Sequence, residues 1–150
     1  MTIQLSPLQL EYLVFTKTYV EVYEPFEAIN DLLAAQFDFD GVNLQVQYTV
    51  SQQKHSTTNF LVTLNVAALN NEAMDKKTPY TFDISVQGVF KLADSFECDN
   101  RYDVVQVNGA AMLYGAIREM LQQVTARSIL GPLLLPTLHF LPESTDNKKS

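Results

Sequence analysis

The chain has 150 residues, carries 17 acidic against 10 basic side chains for a formal net charge of −7, and is 47 % hydrophobic. That composition is too apolar for a disordered chain and fits one domain with its own core, domains of roughly 100–200 residues being typical. The acidic balance excludes nucleic acid as the natural partner, because phosphate binding needs a concentrated basic surface, and favours a basic or apolar one.

The first β-rich segment, Glu11 to Tyr23, is apolar on both sides: Tyr12, Val14, Val20 and Val22 on one, Leu13, Phe15, Tyr19 and Tyr23 on the other. A strand covered on both faces reads this way, the second cover being a helix, a loop or another subunit. From Glu24 to Gly41, Phe26, Ile29, Leu32, Leu33 and Phe37 recur at helical spacing, with Pro25 near the start and Gly41 at the end. A short helix or a packed crossover loop is expected there. Val42 to Val50 alternates apolar and polar without a break, the pattern of a half-buried strand. A third strand follows with Phe60, Val62, Leu64, Val66 and Ala68 on one face, and a fourth with Tyr80, Phe82, Ile84 and Val86, running on through Gly88-Val89-Phe90. Gly88 inside a strand predicts a bulge or the close approach of another backbone. The polar connections at 51–59 and 70–79 suit antiparallel hairpins and are too short for a helical crossover.

The last third changes period. Asn108 reads as an N-cap, and Ala111, Met112, Tyr114, Ile117, Leu121 and Val124 form a stripe with Arg118, Glu119, Gln122, Gln123 and Arg127 mostly opposite. This predicts a helix of about five turns, with Arg127 complementing its dipole and Gly131-Pro132 stopping it. Leu133 to Leu141 is apolar but broken by Pro136, so it must lie on or line something. Residues 142–150 form a polar tail expected to fray. The expected class is α+β: one domain over residues 1–141, a four-stranded antiparallel sheet with a long C-terminal helix packed on one face. The two-sided first strand and the broad helix stripe exceed what one such sheet covers, so self-association is expected.

A single cysteine, Cys98, rules out an intrachain disulfide framework. The N-terminus lacks the basic-then-apolar pattern of a secretory signal, and no stretch reaches the roughly 18 apolar residues of a membrane span. A soluble, cytoplasmic protein with no membrane insertion is the expectation.

The catalytic inventory is thin. His55 lies in a polar loop and His139 in the apolar C-terminal segment, and no HExxH, CxxC, GxSxG or glycine-rich phosphate loop is present. A surface His55, a partly buried His139 and an inert Cys98 thiol form the preferred reading; no enzyme, cofactor or metal is expected. An enzyme or small-ligand site near His139 stands as the remote alternative. Asp38-Phe39-Asp40-Gly41 begins like a calcium loop but lacks the later ligands and reads as a turn. The stretch Asp94 to Asp103 reads as a solvated acidic loop. Asp83, on the polar face of the fourth strand, reads as part of an ordinary solvated face, or else lets that face meet a basic partner. Phe26, Phe37, Phe39 and Phe140, with Leu133, Leu134 and Leu135, lie in irregular segments. They either fill the core or line an apolar groove for an extended or unfolded chain.

Three features together resemble the SecB family of chaperones. The order is four strands and then one long helix. The fourth strand ends in Val86-Gln87-Gly88-Val89-Phe90, and the helix runs Leu113-Tyr114-Gly115-Ala116-Ile117-Arg118-Glu119-Met120-Leu121 before Gly131-Pro132-Leu133-Leu134-Leu135-Pro136. Thr16-Lys17 in the first strand also fits, and the likeness spans about residues 10 to 141. The resemblance implies a cytoplasmic homotetramer, a dimer of dimers, that holds unfolded preproteins without ATP. It implies a client groove at Phe26, Phe37, Phe39, Leu133, Leu134, Leu135 and Phe140, and an acidic docking face for SecA at Asp83, with Glu21 nearby. The acids expected in the first strand fall near Thr18 and Val22, and the second C-terminal helix of the export chaperone is not expected, since the chain turns polar after Leu141. A dedicated partner such as an antitoxin is therefore the alternative to a general holdase for protein export.

Overall fold

The computed structural model describes residues 1–24, 33–71, 75–97 and 100–142. Four strands, β1 (Leu8–Val22), β2 (Gln45–Gln52), β3 (Asn59–Ala68) and β4 (Tyr80–Leu92), form one antiparallel sheet in the order β1-β4-β3-β2. Among the described residues one helix, α1 (Arg101–Thr125), comes after them, so the expected α+β architecture holds. Hairpins join β2 to β3 and β3 to β4, as the short polar connections predict. The chain from β1 to β2 must cross the whole sheet, which accounts for the length of that connection. Its described part holds only a short 3-10 helix, Ala34–Gln36, and Phe26 with the rest of the expected helical spacing lies outside the described residues.

Period-2 alternation sends one side of β3 and β4 into the core. Phe60, Val62, Leu64 and Val66 of β3, with Tyr80, Phe82, Ile84, Val86, Phe90 and Leu92 of β4, are buried beneath α1, which contributes Val105, Leu113, Ile117 and Leu121. Each such side chain contributes about 1.5–3 kcal/mol on leaving water.

β1 departs from the simple alternation. The register runs Leu10↔Phe90, Tyr12↔Val89, Phe15↔Val86, Lys17↔Ser85, so Glu11 and Thr16 are extra residues in two β-bulges. Each bulge inverts the facing of the strand residues beyond it. Val20 and Val22, opposite Phe82 and Tyr80, therefore join Leu13 and Phe15 on the inner face, while Tyr19 moves to the outer face with Tyr12 and Val14. Uninterrupted alternation, as expected from the sequence, places these the other way round. Within the chain the outer face of β1 is open, with Tyr12 and Tyr19 exposed at 62 % and 41 %.

Gly88 sits in regular pairing with Leu13 and Val62, so the bulges lie on the strand beside it. It is needed for close approach by side chains rather than by a backbone: a Cβ there would stand 2.7 Å from Phe90 Cε2 and 2.8 Å from Leu113 Cδ2.

The helix starts at Arg101, capped by Asn100, whose side chain accepts from the Asp103 amide at 3.2 Å. Asn108, the cap expected from sequence, lies inside the helix and donates to the Val104 carbonyl. Arg101 to Asp103 of the expected acidic loop are thus helical, with Asp103 placed favourably in the first turn. The helix ends at Thr125, short of Arg127, and the chain turns through Gly131 at φ +80°. Arg101 anchors the start: its guanidinium donates to the carbonyls of Thr57, Leu92, Ala93 and Phe96 at 2.8–3.1 Å. One side chain thereby joins α1 to the end of β4 and to the β2–β3 loop.

The packing around Gly88 and Arg101 can be tested by substitution. Gly88→Ala is expected to lower stability by about 1–3 kcal/mol through overpacking, whereas Gly115→Ala, on an open part of the helix surface with nothing within 4 Å of its would-be Cβ, should raise it by about 0.5–1 kcal/mol. Urea midpoints of the two variants measure the contrast. Arg101→Met, which leaves four carbonyls without their donor, is expected to cost about 2–4 kcal/mol in the same assay.

Candidate functional site

Two irregular segments and one turn of α1 enclose a groove of about 550 Å³, lined by Ala35, Phe37, Asp38, Phe39 and Asp40 on one wall and by Leu134, Leu135, Pro136 and Thr137 on the other, with Arg118 between. In the first wall the 3-10 turn presents Phe37, whose ring meets Phe39 edge-on at 4.9 Å. The Asp38 carboxylate accepts the Asp40 amide at 2.9 Å and Gly41 takes φ +83°, so Asp38–Gly41 is the turn that the sequence predicts. Lys76 donates to the Asp40 carbonyl at 2.5 Å and lies 5.3 Å from the centre of the Phe37 ring.

The second wall is extended chain, and side chains hold its backbone. Tyr80 donates to the Gly131 carbonyl at 2.5 Å, the Leu133 amide donates to Thr125 Oγ1 at 2.9 Å, and Arg118 Nε donates to the Leu135 carbonyl at 3.1 Å. Tyr114 donates to the Pro136 carbonyl. Burial pushes the Tyr114 phenol up to about 12, with the Arg118 charge opposing, and burial also raises that of Tyr80. Both hydroxyls are therefore donors at neutral pH. The Ala34 amide, donating to the Leu130 carbonyl at 2.9 Å, ties the two walls together.

The expected groove residues divide. Phe37, Phe39, Leu134 and Leu135 line it; Leu134 is the accessible one of the leucines at 51 %, while Leu133 is fully buried in the core. Phe140 packs edge-on against Tyr114 at 5.8 Å and is not among the residues that line the groove. Arg118, assigned to the polar side of the helix from sequence, lines the groove instead. Its signal was the i, i+4 spacing from Tyr114, which puts both on one helix face.

Asp83 and Glu21 lie on the other side of the sheet, and each already has a donor from β1. Lys17 Nζ reaches one Asp83 oxygen at 2.5 Å and Asn65 Nδ2 the other at 2.6 Å. The Lys17 hydrogen bond holds the Asp83 carboxyl below its ordinary value, against a smaller upward push from burial. Glu21 accepts from the Tyr19 hydroxyl at 2.5 Å, which raises the Tyr19 phenol. Lys17 and Asp83 thus meet diagonally across the β1–β4 ladder, Lys17 standing opposite Ser85 and Asp83 opposite Tyr19.

His55 is exposed, at φ +61° in the β2–β3 loop. His139 is exposed as well, contrary to the expected partial burial: in extended chain, Leu138 and Phe140 turn to the core and the residue between them faces water. Cys98 lies outside the described residues. Among the described residues no three His, Cys, Asp or Glu side chains gather as a metal site, and no helix is long and apolar enough to cross a membrane.

Residues 26–142 match the family described as preprotein translocase subunit SecB. The chain belongs to the SecB family. SecB proteins are chaperones rather than enzymes, in keeping with the thin catalytic inventory. Among solved structures, the fold resembles a SecB-like chaperone of Mycobacterium tuberculosis in complex with a ChAD peptide from the HigA1 antitoxin. The TM-score is 0.55 and the identity 18 %, over 87 % of this chain and 90 % of that one. A protein of unknown function from Streptococcus agalactiae aligns at TM-score 0.47 and 12 % identity, over 87 % and 97 %. No curated protein matches the sequence.

Asp83 carries a pH prediction. Its carboxyl is depressed in the folded state, so its contribution is present above the ordinary carboxylate range and lost as pH falls through the folded value. Asp83→Asn is expected to cost under about 1 kcal/mol at neutral pH, since Lys17 is largely exposed. The difference from wild type should close towards pH 2, as read from urea midpoints along the pH series.

Proposed function

We propose that this SecB-family protein is an ATP-independent holdase that binds unfolded or preprotein clients in the groove between the Phe37–Asp40 and Leu134–Thr137 walls. The observation that carries this reading is the accessibility of Leu134 opposite the half-buried Phe37 and Phe39, in an open groove built from irregular chain. Apolar client surface buried there gains about 25 cal/mol per Å², spread over many weak contacts, and no covalent chemistry is required. A homotetramer in the cytoplasm, working in protein export with SecA, completes the reading. The outward Tyr12 and Tyr19 of β1 and the exposed Met112 and Val124 of α1 are the surfaces that further subunits would cover.

A second reading has its own support. Asp83 and Glu21 are already hydrogen-bonded within the sheet, which leaves little free acid for a basic motor protein. The M. tuberculosis neighbour was solved with an antitoxin peptide. A single dedicated partner of that kind would use the same groove without general holdase activity.

Light scattering of a chemically unfolded client, with and without the protein at stoichiometric ratio, tests the first reading. Suppressed aggregation by a tetrameric species is the expected result, and the double variant Phe37→Ser/Leu134→Ser should lose about tenfold in client affinity. A monomer that leaves the client to aggregate would sink the holdase reading and favour the dedicated partner.

A further inference from the structure

We propose that Arg118 is a carboxylate-binding point inside the groove, so that the occupant is an extended apolar segment carrying a carboxylate, from an Asp or Glu side chain or a free C-terminus. This rests on the groove reading and narrows what the groove selects.

A guanidinium has five N–H donors in a rigid plane. That of Arg118 uses Nε on the Leu135 carbonyl at 3.1 Å, and its two terminal nitrogens make no hydrogen bond or ion pair with any described residue. Neither is buried without a partner, so both reach accessible space. The Nε bond ties the group to one wall of the groove that Arg118 lines and leaves its outer edge, which matches the two oxygens of a carboxylate, unused by the described residues.

The surroundings strengthen such a contact. Phe39, Leu134, Leu135 and Pro136 line the same groove, and apolar walls weaken the screening of a charge pair. Asp38 and Asp40 also line it but stand beyond ion-pair distance from Arg118. Charge is thus separated across the groove, acidic on the Phe37–Asp40 wall and basic on the helix side. A bound segment is oriented by that separation, its carboxylate towards α1 and any basic group towards Asp38 and Asp40.

The test uses the full chain and one labelled, alternating Leu/Ser peptide in three forms, read by fluorescence anisotropy. One form has a central Asp and an amidated end, one a central Asn and a free C-terminus, one a central Asn and an amidated end. The wild type should bind at least one acid form about tenfold more tightly than the neutral form, and which one identifies the source of the carboxylate. That ratio should fall with added salt and drop to about one in Arg118→Gln, with partial recovery in Arg118→Lys. A role confined to holding the Leu135 carbonyl would weaken all three peptides equally in Arg118→Gln, and a ratio surviving that substitution overturns the proposal. If Arg118→Gln does not fold, equal wild-type binding of the acid and neutral forms, or a salt-independent ratio, overturns it instead. Failure of every peptide to bind wild type overturns the groove reading and this inference together, whereas equal binding overturns this inference and leaves the groove.

Discussion

The groove depends on side-chain hydrogen bonds to the backbone C-terminal to α1. That stretch carries Pro132 and Pro136, so it cannot extend the helix or enter the sheet ladder, yet its backbone groups must find partners beside a packed core. Tyr80, Thr125, Tyr114 and Arg118 supply them from β4 and from α1. Because those side chains stand on regular elements, an irregular segment acquires a defined course. Its alternation is a consequence: Leu133 and Leu135 turn to the core and Leu134 is left facing out. The other wall is simpler, a single turn fixed by Asp38 and Gly41 with Phe37 and Phe39 set edge to edge.

The two sides of the sheet have opposite characters. The inner side of β3 and β4 is closed by α1 and supplies about half of the core, α1 and the segment after it supplying most of the rest. The outer side mixes polar residues with the exposed Tyr12 and Tyr19, and its Asp83 is paired with Lys17 within the chain. The net acidity therefore belongs chiefly to the connections, including the Asp38 and Asp40 wall of the groove. An electrostatic reading that spreads the net charge evenly over the surface would misplace it.

The strands and hairpins were legible because period 2 is a strong signal and the polar loops were short. The bulges were not, since Glu11 and Thr16 are ordinary residues whose insertion shows only when the partner strand is laid beside them. With them went the true facing of Val20, Val22 and Tyr19, and the meeting of Lys17 with Asp83. The helix start was misread because Asn108 and Asn100 are equally good caps by residue type, and the apolar stripe that begins at Val105 decides between them. Phe37 and Phe39 were legible as apolar side chains in irregular chain. A run of three leucines has no internal alternation, so nothing in it separates Leu134 from Leu133. Arg118 was hidden by its charge, which assigned it to the solvent side of the stripe when its stem lies along the groove.

The pairing of β1 with β4 also sets an order of events during synthesis. Lys17 and Asp83 are 66 residues apart, and among the described strands β1 pairs with β4 alone. Of these four strands, the first to leave the ribosome is thus the last to be given a neighbour. The β2–β3–β4 meander closes over local contacts, while β1 waits with its apolar side chains in water until β4 is complete. A nascent chain of this protein is, over that interval, an extended apolar segment of the kind proposed as the groove's occupant.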